Sequence, residues 1–203
     1  MKRLIMTMMV LLGLVAGQAW TAEQSPEELV KQTSELMLDK LRQEKEVIKA
    51  NPGRIYELVN QIVLPHFDFG YMSQLVVGKY WRRATPQQRQ AFTEEFKQLL
   101  VRTYATSLNE YTDQKINFLP FRKSSDPEQA AVSTEVEQPG GFPIPIDYKL
   151  HKNSAEWKVF DVVIDDVSLV SNYRTSFAKE IREKGLDGLI ATLKKRNQEV
   201  VNK

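Results

Sequence analysis

The side chains that could support catalysis or metal binding are few in this chain, and they are scattered. There are two histidines, His66 and His151, and no cysteine. His66 follows a proline at a helix start, and His151 lies on the polar face of a strand beside a turn, so the two lack the spacing of metal ligands. The motifs of serine hydrolases, P-loop enzymes, dinucleotide-binding proteins and zinc proteases are also missing from the sequence. We therefore predict no metal site and no cofactor.

Two acidic residues leave an enzymatic alternative open. Asp161 has apolar neighbours on a predicted strand, where a raised pKa could make it a general base. The interpretation that we favour is an acid that faces a helix end or pairs with an arginine. Asp68, which lies between two phenylalanines, has the same two interpretations. Arg82-Arg83 could contact lipid phosphates or a partner, although a solvated pair is the simpler interpretation.

The amino terminus has the pattern of a cleavable secretory signal. Lys2 and Arg3 precede an uncharged apolar stretch, residues 4–17, which is shorter than the roughly 20 residues needed to span a bilayer. We predict a signal peptide over residues 1–22, cleaved after Ala19 or Ala22, and a mature protein that is soluble outside the cytoplasm. Because Lys2 and Arg3 account for the formal charge of +2, the rest of the chain has 26 basic and 26 acidic residues. A neutral domain has no general attraction for nucleic-acid phosphates.

Apolar periodicity divides residues 23–203 into helices, then strands, then helices of one domain. Ser25 can cap a first helix, whose widely spaced apolar residues predict a surface position. Thr85-Pro86-Gln87-Gln88 is typical of a capping box, and the helix after it has a continuous apolar stripe. Gly185 has the position of a helix-ending glycine, and Asp187 can cap a last helix. The predicted helices cover residues 25–50, 52–63, 67–77, 86–111, 168–185 and 187–200.

Alternating apolar and polar residues predict strands between these helical regions. Val132, Thr134 and Val136 share one face of a strand, and a Pro-Gly-Gly turn leads to a second alternating run. The predicted strands cover residues 115–121, 130–138, 143–151 and 157–164. Because short turns join them, the sequence predicts an α+β domain with a curved antiparallel sheet of about four strands and helices on its concave face.

Several motifs in this order resemble one family of exported proteins. In the first half they are Leu64-Pro65-His66-Phe67-Asp68-Phe69 and Gly78-Lys79-Tyr80-Trp81-Arg82-Arg83-Ala84-Thr85-Pro86. In the second half they are Trp157-Lys158-Val159-Phe160-Asp161-Val162, Asn172-Tyr173-Arg174 and Gly185-Leu186-Asp187-Gly188-Leu189. Together they resemble the Mla periplasmic carrier family, also called the toluene-tolerance family, over nearly all of the mature chain.

The resemblance implies an NTF2-like fold that encloses an apolar pocket. It also implies a soluble periplasmic carrier that binds a glycerophospholipid by its acyl chains. Such carriers pass the lipid between an outer-membrane lipoprotein–porin complex and an inner-membrane ABC transporter with lipid-binding ring domains, and so maintain outer-membrane lipid asymmetry. We therefore expect a monomer with phospholipid as cargo, no cofactor and no nucleic-acid partner.

The residues expected to contact the acyl chains lie on facing surfaces of strands and helices. On the strands they are Val132, Val136, Ile146, Tyr148 and Val163. On the helices they are Tyr71, Leu75, Phe96, Leu99, Leu100, Tyr104, Tyr173 and Phe177. Burial of roughly 30 methylenes contributes up to ~24 kcal/mol, beyond the ~18–21 kcal/mol that noncovalent affinities reach, so release into water should be negligible.

Two other functions stay open from the sequence. One is an exported enzyme on the same fold that uses Asp161 as a general base in an apolar pocket. The other is a periplasmic chaperone that holds apolar segments of other proteins.

Overall fold

The structure, a computed structural model, describes residues 24–105, 107–108, 115–122, 124–138, 140–154 and 156–201. The predicted signal peptide and its cleavage sites lie outside these ranges. Within the described part of the chain, no helix is long and apolar enough to cross a membrane.

The amino-terminal region is a series of short helices. They are α1 (Pro26–Gln43), α2 (Lys45–Ala50), α3 (Arg54–Leu58), a π-helical turn (Val59–Val63), a 3-10 turn (Leu64–His66) and α4 (Phe69–Val77). Ser25 starts α1 by accepting a hydrogen bond from the Glu28 N–H at 3.1 Å, and Pro26 occupies the first helical turn. Where the sequence predicts one helix over 25–50, the structure ends α1 at Gln43 and begins α2 at Lys45.

A 3-10 helix (Gly78–Arg83) and α5 (Pro86–Ala105) follow α4. Thr85 and Gln88 form the predicted capping box. The Gln88 N–H donates to Thr85 Oγ1 at 3.1 Å, and the Thr85 N–H donates to Gln88 Oε1 at 3.0 Å. The sequence extends this helix to residue 111, but residue 106 and residues 109–114 lie outside the described part.

The second half begins with an antiparallel meander. Its strands are β1 (Ile116–Phe118), β2 (Gln129–Val136), β3 (Ile144–Asn153), β4 (Glu156–Ile164) and β5 (Val167–Ser168), in that spatial order. Within the described residues, the curved sheet therefore has five strands where the sequence predicts about four. The additional strand has two residues, which is too short for an alternating pattern to show in the sequence.

A bulge interrupts the pairing of β3 with β4. Lys149 pairs with Asp161, whereas Leu150 pairs with Val159, so Phe160 is an extra residue in β4. Because side chains alternate along a strand, the extra residue changes which of them face inward. Val159 faces inward before the bulge, and Val162 and Ile164 face inward after it.

The last element, α6 (Leu169–Val201), is broken at Gly185, which has φ 71° and ψ −179°. Its first part packs on α4 and α5 around Phe92, Phe96 and Phe177, which are at most 4% exposed. Its second part adds Leu189 to the same helical core. A second cluster joins α1 to the sheet, and a third joins α1, α2 and α3 to the end of α5. The helical core adjoins the space between α1 and the sheet at Met72 and Leu100.

Candidate functional site

An apolar cavity of about 290 Å³ lies between α1, the helical turns after α3, the end of α5 and the sheet. The sheet contributes Ile116, Ile146, Tyr148, Val159, Val162 and Ile164. The opposite wall is α1, with Leu29, Val30, Thr33, Ser34, Met37, Leu38 and Leu41. Val63, Phe69, Met72, Leu100, Val101 and Leu108 are among the helical residues that close the remaining sides. The volume is at the lower end of the range for small-molecule pockets.

The cavity wall has no charge near neutral pH. No Asp, Glu, Lys or Arg is among the described residues that line it, and its polar side chains are Thr33, Ser34, His66, Tyr104 and Tyr148. Burial and the nearby Lys158 ammonium lower the pKa of His66, against a smaller opposing effect of Glu156. Burial and a hydrogen bond with Tyr173 raise the pKa of Tyr104 to about 12. An uncharged, aliphatic wall favours an apolar ligand over an ionic one.

Four of the residues expected to contact acyl chains come together around this cavity. Leu100 and Tyr104 line it from α5, and Ile146 and Tyr148 line it from β3. Ile146 and Tyr148 share one face of their strand because they are two residues apart. Leu100 and Tyr104 share one face of their helix because they are four residues apart.

The other three strand residues lie outside the cavity wall. Val132 and Val136 are buried on β2, at 2% and 3% exposure, without reaching the cavity surface. Val163 pairs with Asp147 and lies on the opposite face of the sheet from Val159, because the bulge at Phe160 shifts the alternation.

The remaining helix residues belong to the helical core between α4, α5 and α6 or pack against it. Tyr173 meets Phe96 edge-to-face, with ring centroids 5.3 Å apart, and lies 5.4 Å from Phe177. Leu75 and Leu99 pack against the same core. Tyr71 stacks on His151 with centroids 4.6 Å apart. Aromatic rings thus fill the helical core, while most of the cavity wall is Leu, Val, Ile and Met.

The sequence reasoning missed α1 as a cavity wall. Its residues Leu29, Thr33, Met37 and Leu41 are spaced by four, so they lie on one helical face. Leu36, on another face, is 48% exposed. The signal was present in this spacing, although the high charge of the helix made a surface position the simpler expectation.

Asp161 caps α6 and does not line the cavity. Its carboxylate accepts hydrogen bonds from the Val170 N–H at 3.1 Å and from the Ser168 hydroxyl at 2.7 Å. Lys149 Nζ lies 3.2 Å from the same carboxylate. Asp161 therefore faces a helix end, as one interpretation predicts, and its cationic partner is a lysine where an arginine was expected.

Asp68 has a similar structural role at the start of α4. Its carboxylate accepts hydrogen bonds from the Tyr71 N–H at 2.8 Å and from the Asn153 amide at 2.8 Å. Its Oδ2 also lies 3.1 Å from His151 Nε2. These contacts join the start of α4 to the end of β3, and His151 is one of the residues that link the two elements. Within the described residues, no cluster of acidic side chains and histidines could hold a metal ion.

Comparison with known proteins gives one consistent result. The family model described as MlaC protein matches residues 31–195. The chain is 34% identical to the toluene tolerance protein ttg2D of Pseudomonas putida over 167 residues, which are 82% of this chain and 77% of that protein. It is 27% identical to the intermembrane phospholipid transport system binding protein MlaC of Haemophilus influenzae over 187 residues, 91% of this chain and 87% of that one.

A solved structure has the same fold. It is that of a phospholipid-binding protein from Ralstonia solanacearum in complex with a phospholipid. The TM-score is 0.79 at 31% identity, and the match covers 86% of this chain and 98% of the other.

Proposed function

Because the chain belongs to the MlaC protein family, we propose that it is a periplasmic carrier that binds a glycerophospholipid by its acyl chains. In this proposal it moves the lipid between an outer-membrane lipoprotein–porin complex and an inner-membrane ABC transporter, and so maintains outer-membrane lipid asymmetry. The observation that carries the proposal is the uncharged cavity between α1 and the sheet. The phospholipid complex of the Ralstonia relative, whose fold is similar, supports the same cargo.

The acyl chains occupy the cavity and the headgroup stays in water. A phosphate buried against aliphatic side chains would lose its hydration without gaining an ionic partner, because no cationic side chain is among the lining residues. The acyl chains have the opposite preference, since each buried methylene contributes about 0.8 kcal/mol relative to water. The carrier therefore tolerates different headgroups.

Leu100, Tyr104, Ile146 and Tyr148 are the expected contacts that lie on the cavity, and the proposal adds the inward face of α1 to them. For Tyr71, Leu75, Phe96, Leu99, Val132, Val136, Val163, Tyr173 and Phe177, contact with the cargo stays a prediction. Such contact would require the lipid to extend beyond the cavity and to separate side chains that pack against each other in this structure.

The α1 helix is the wall best suited to open for loading and unloading. Its side-chain hydrogen bonds and ion pair join residues within 24–42 only, and none reaches another element of the described structure. Apolar contacts across the cavity and its flanks hold it in place. Such contacts have no directional requirement, so α1 can shift and re-pack around a cargo. Release then requires a membrane complex that accepts the chains as α1 moves, because transfer into water is too costly.

Filling the cavity with a side chain tests the proposal. Ser34→Trp places an indole on the inward face of α1, whereas Leu36→Trp places the same group on the face where Leu36 is 48% exposed. Native mass spectrometry of protein purified without detergent is expected to show bound phospholipid in the wild type and in Leu36→Trp, and a marked loss in Ser34→Trp. Full lipid occupancy in Ser34→Trp would place the cargo elsewhere. A wild-type protein that is empty and takes up no lipid from liposomes would overturn the proposed function.

A further inference from the structure

Five cationic side chains surround a groove that is separate from the cavity. The groove runs between the 3-10 helix and the first part of α6, and it consists of two adjoining hollows of about 220 Å³ and 460 Å³ that share Lys79 and Tyr80. The cations are Lys79, Arg82, Arg83, Arg174 and Arg182, and no acidic residue is among the lining residues. We call this surface the basic groove.

None of the five cations has an ion pair or a side-chain hydrogen bond with another described residue. Some cations elsewhere have acidic partners: Arg54 contacts Glu44 and Glu57, and Lys149 contacts Asp161. The full sequence has 28 basic and 26 acidic residues, so its total charge is nearly balanced. Five unpaired cations around one groove therefore make this surface locally positive. Like charges in one concavity repel each other, and an anionic partner relieves that repulsion.

The backbone brings the two sides of the groove together at Gly78. Its φ of +61° and ψ of −127° end α4 and turn the chain into the 3-10 helix. The Arg174 guanidinium lies over this turn, with its nearest nitrogen 3.5 Å from where a Cβ at Gly78 would be. Two segments that are far apart in the sequence thus present their charges to the same space.

The floor of the smaller hollow is apolar, with Val76, Val77 and Ile181 at most 4% exposed. Tyr80 lies between the two hollows, and the Lys79 ammonium is 5.3 Å from its ring centroid. Arginine and tyrosine beside an apolar floor are typical of protein–protein contact sites. A planar bilayer surface does not follow a concave groove, and one phosphate would neutralise only part of its charge.

We propose that the basic groove docks an acidic segment of a partner protein, with carboxylates against the five cations and an apolar side chain on the floor. This docking site goes beyond the proposed function, because it depends on the charges of the groove and not on the cargo. No residue lines both the groove and the cavity, although α4 contributes Met72 to the cavity and Val76 to the groove. A partner can therefore bind the carrier in its loaded form.

The test uses two variants with the same change of charge. The groove variant combines Lys79→Gln, Arg82→Gln and Arg83→Gln, three exposed residues without ion pairs. The control variant combines Lys194→Gln, Lys195→Gln and Arg196→Gln, which are exposed on the last turns of α6. The probes are a fluorescent peptide of glutamates with a leucine at every third position, and vesicles of phosphatidylglycerol.

The wild type is expected to bind the acidic peptide, with an affinity that falls as salt is added. The groove variant should bind it roughly tenfold more weakly, since each exposed charge contributes about a factor of two, and the control variant should resemble the wild type. Equal weakening in both variants would overturn the proposal, because net charge alone would explain it. Groove-dependent binding of vesicles without binding of the peptide would also overturn it, in favour of an anionic bilayer. Lipid occupancy, measured in the same samples, reports on the cargo independently.

Discussion

At the scale of single residues, the buried Asp161 shows how a carboxylate with apolar neighbours can cap a helix. Asp161 is 4% exposed, and its two carboxylate oxygens accept hydrogen bonds from the α6 backbone and from the Ser168 hydroxyl. Both partners lie at the junction of β5 and α6. The carboxylate thus fixes the direction in which α6 leaves the sheet, and it satisfies a backbone N–H that the helix itself leaves without a partner.

Removal of this carboxylate should destabilise the fold without emptying the cavity. Asp161→Ala is expected to lower the free energy of unfolding by about 2–3 kcal/mol, because it removes a helix cap and a charged hydrogen-bond acceptor. Lys149→Met should cost less than about 1 kcal/mol, because the Lys149 side chain is 44% exposed and its ion pair is screened. Urea denaturation measures both, and native mass spectrometry measures bound lipid. Loss of lipid from Asp161→Ala at unchanged stability would contradict a purely structural role.

At the scale of elements, local signals in the sequence identify the capping box of α5, the alternating strands and the break at Gly185. They do not identify the bulge at Phe160, because one extra residue leaves the composition of β4 unchanged while moving Val163 to the other face. Hydrophobic periodicity also cannot separate a residue that packs against another side chain from one that borders a void. Phe96 and Leu100 lie on the same stripe of α5, yet only Leu100 lines the cavity.

The break in α6 is the element whose geometry depends most directly on one residue. Gly185 has φ 71° and ψ −179°, a conformation that is essentially restricted to glycine. Beyond it, Asn197 donates hydrogen bonds to Glu95 of α5 at 2.9 Å and 2.8 Å, and Leu189 is fully buried. The break therefore allows the second part of α6 to return against α5.

Replacement of Gly185 should lower the free energy of unfolding, although there is space for a side chain. Apart from the chain neighbours of Gly185 and the adjacent backbone of α6, no atom of the described residues lies within 4 Å of where its Cβ would be, so the expected loss of about 1–3 kcal/mol comes from backbone strain. Gly70→Ala is the matched control, because Gly70 is an exposed α4 residue without a positive φ, and alanine favours helix there by up to about 1 kcal/mol. Thermal unfolding of both variants checks the contrast in sign. If Gly185→Ala is neutral, the contacts of Asn197 and Leu189 impose the break and the glycine does not.

At the scale of the whole molecule, the aromatic core and the cavity are two adjoining regions that differ in their side chains. The aromatic core between α4, α5 and α6 is buried, with Phe92 and Phe96 at 0% exposure and their rings stacked on each other. The cavity lies at the C-terminal end of α5, where α1 and the sheet meet through aliphatic side chains, and Leu100 belongs to both the core and the cavity wall. Aromatic contacts therefore fill the helical core, whereas the side chains around the cavity border empty space.

We expect the bound lipid to contribute a substantial part of the free energy of unfolding of the loaded carrier. An empty apolar cavity costs about 24 cal/mol per Å³, so the 290 Å³ between α1 and the sheet corresponds to as much as about 7 kcal/mol. Water that enters the empty cavity reduces this cost to several kcal/mol. For a chain of this length each kcal/mol shifts Tm by roughly 2–4 °C, so extraction of the lipid is expected to lower Tm by about 10 °C or more. Calorimetry before and after extraction, with lipid content confirmed by mass spectrometry, measures the change.

Ser34→Trp is the control, because its indole occupies the cavity and should make Tm nearly insensitive to extraction. An equal Tm for loaded and stripped wild-type protein would show that the lipid lies outside the cavity.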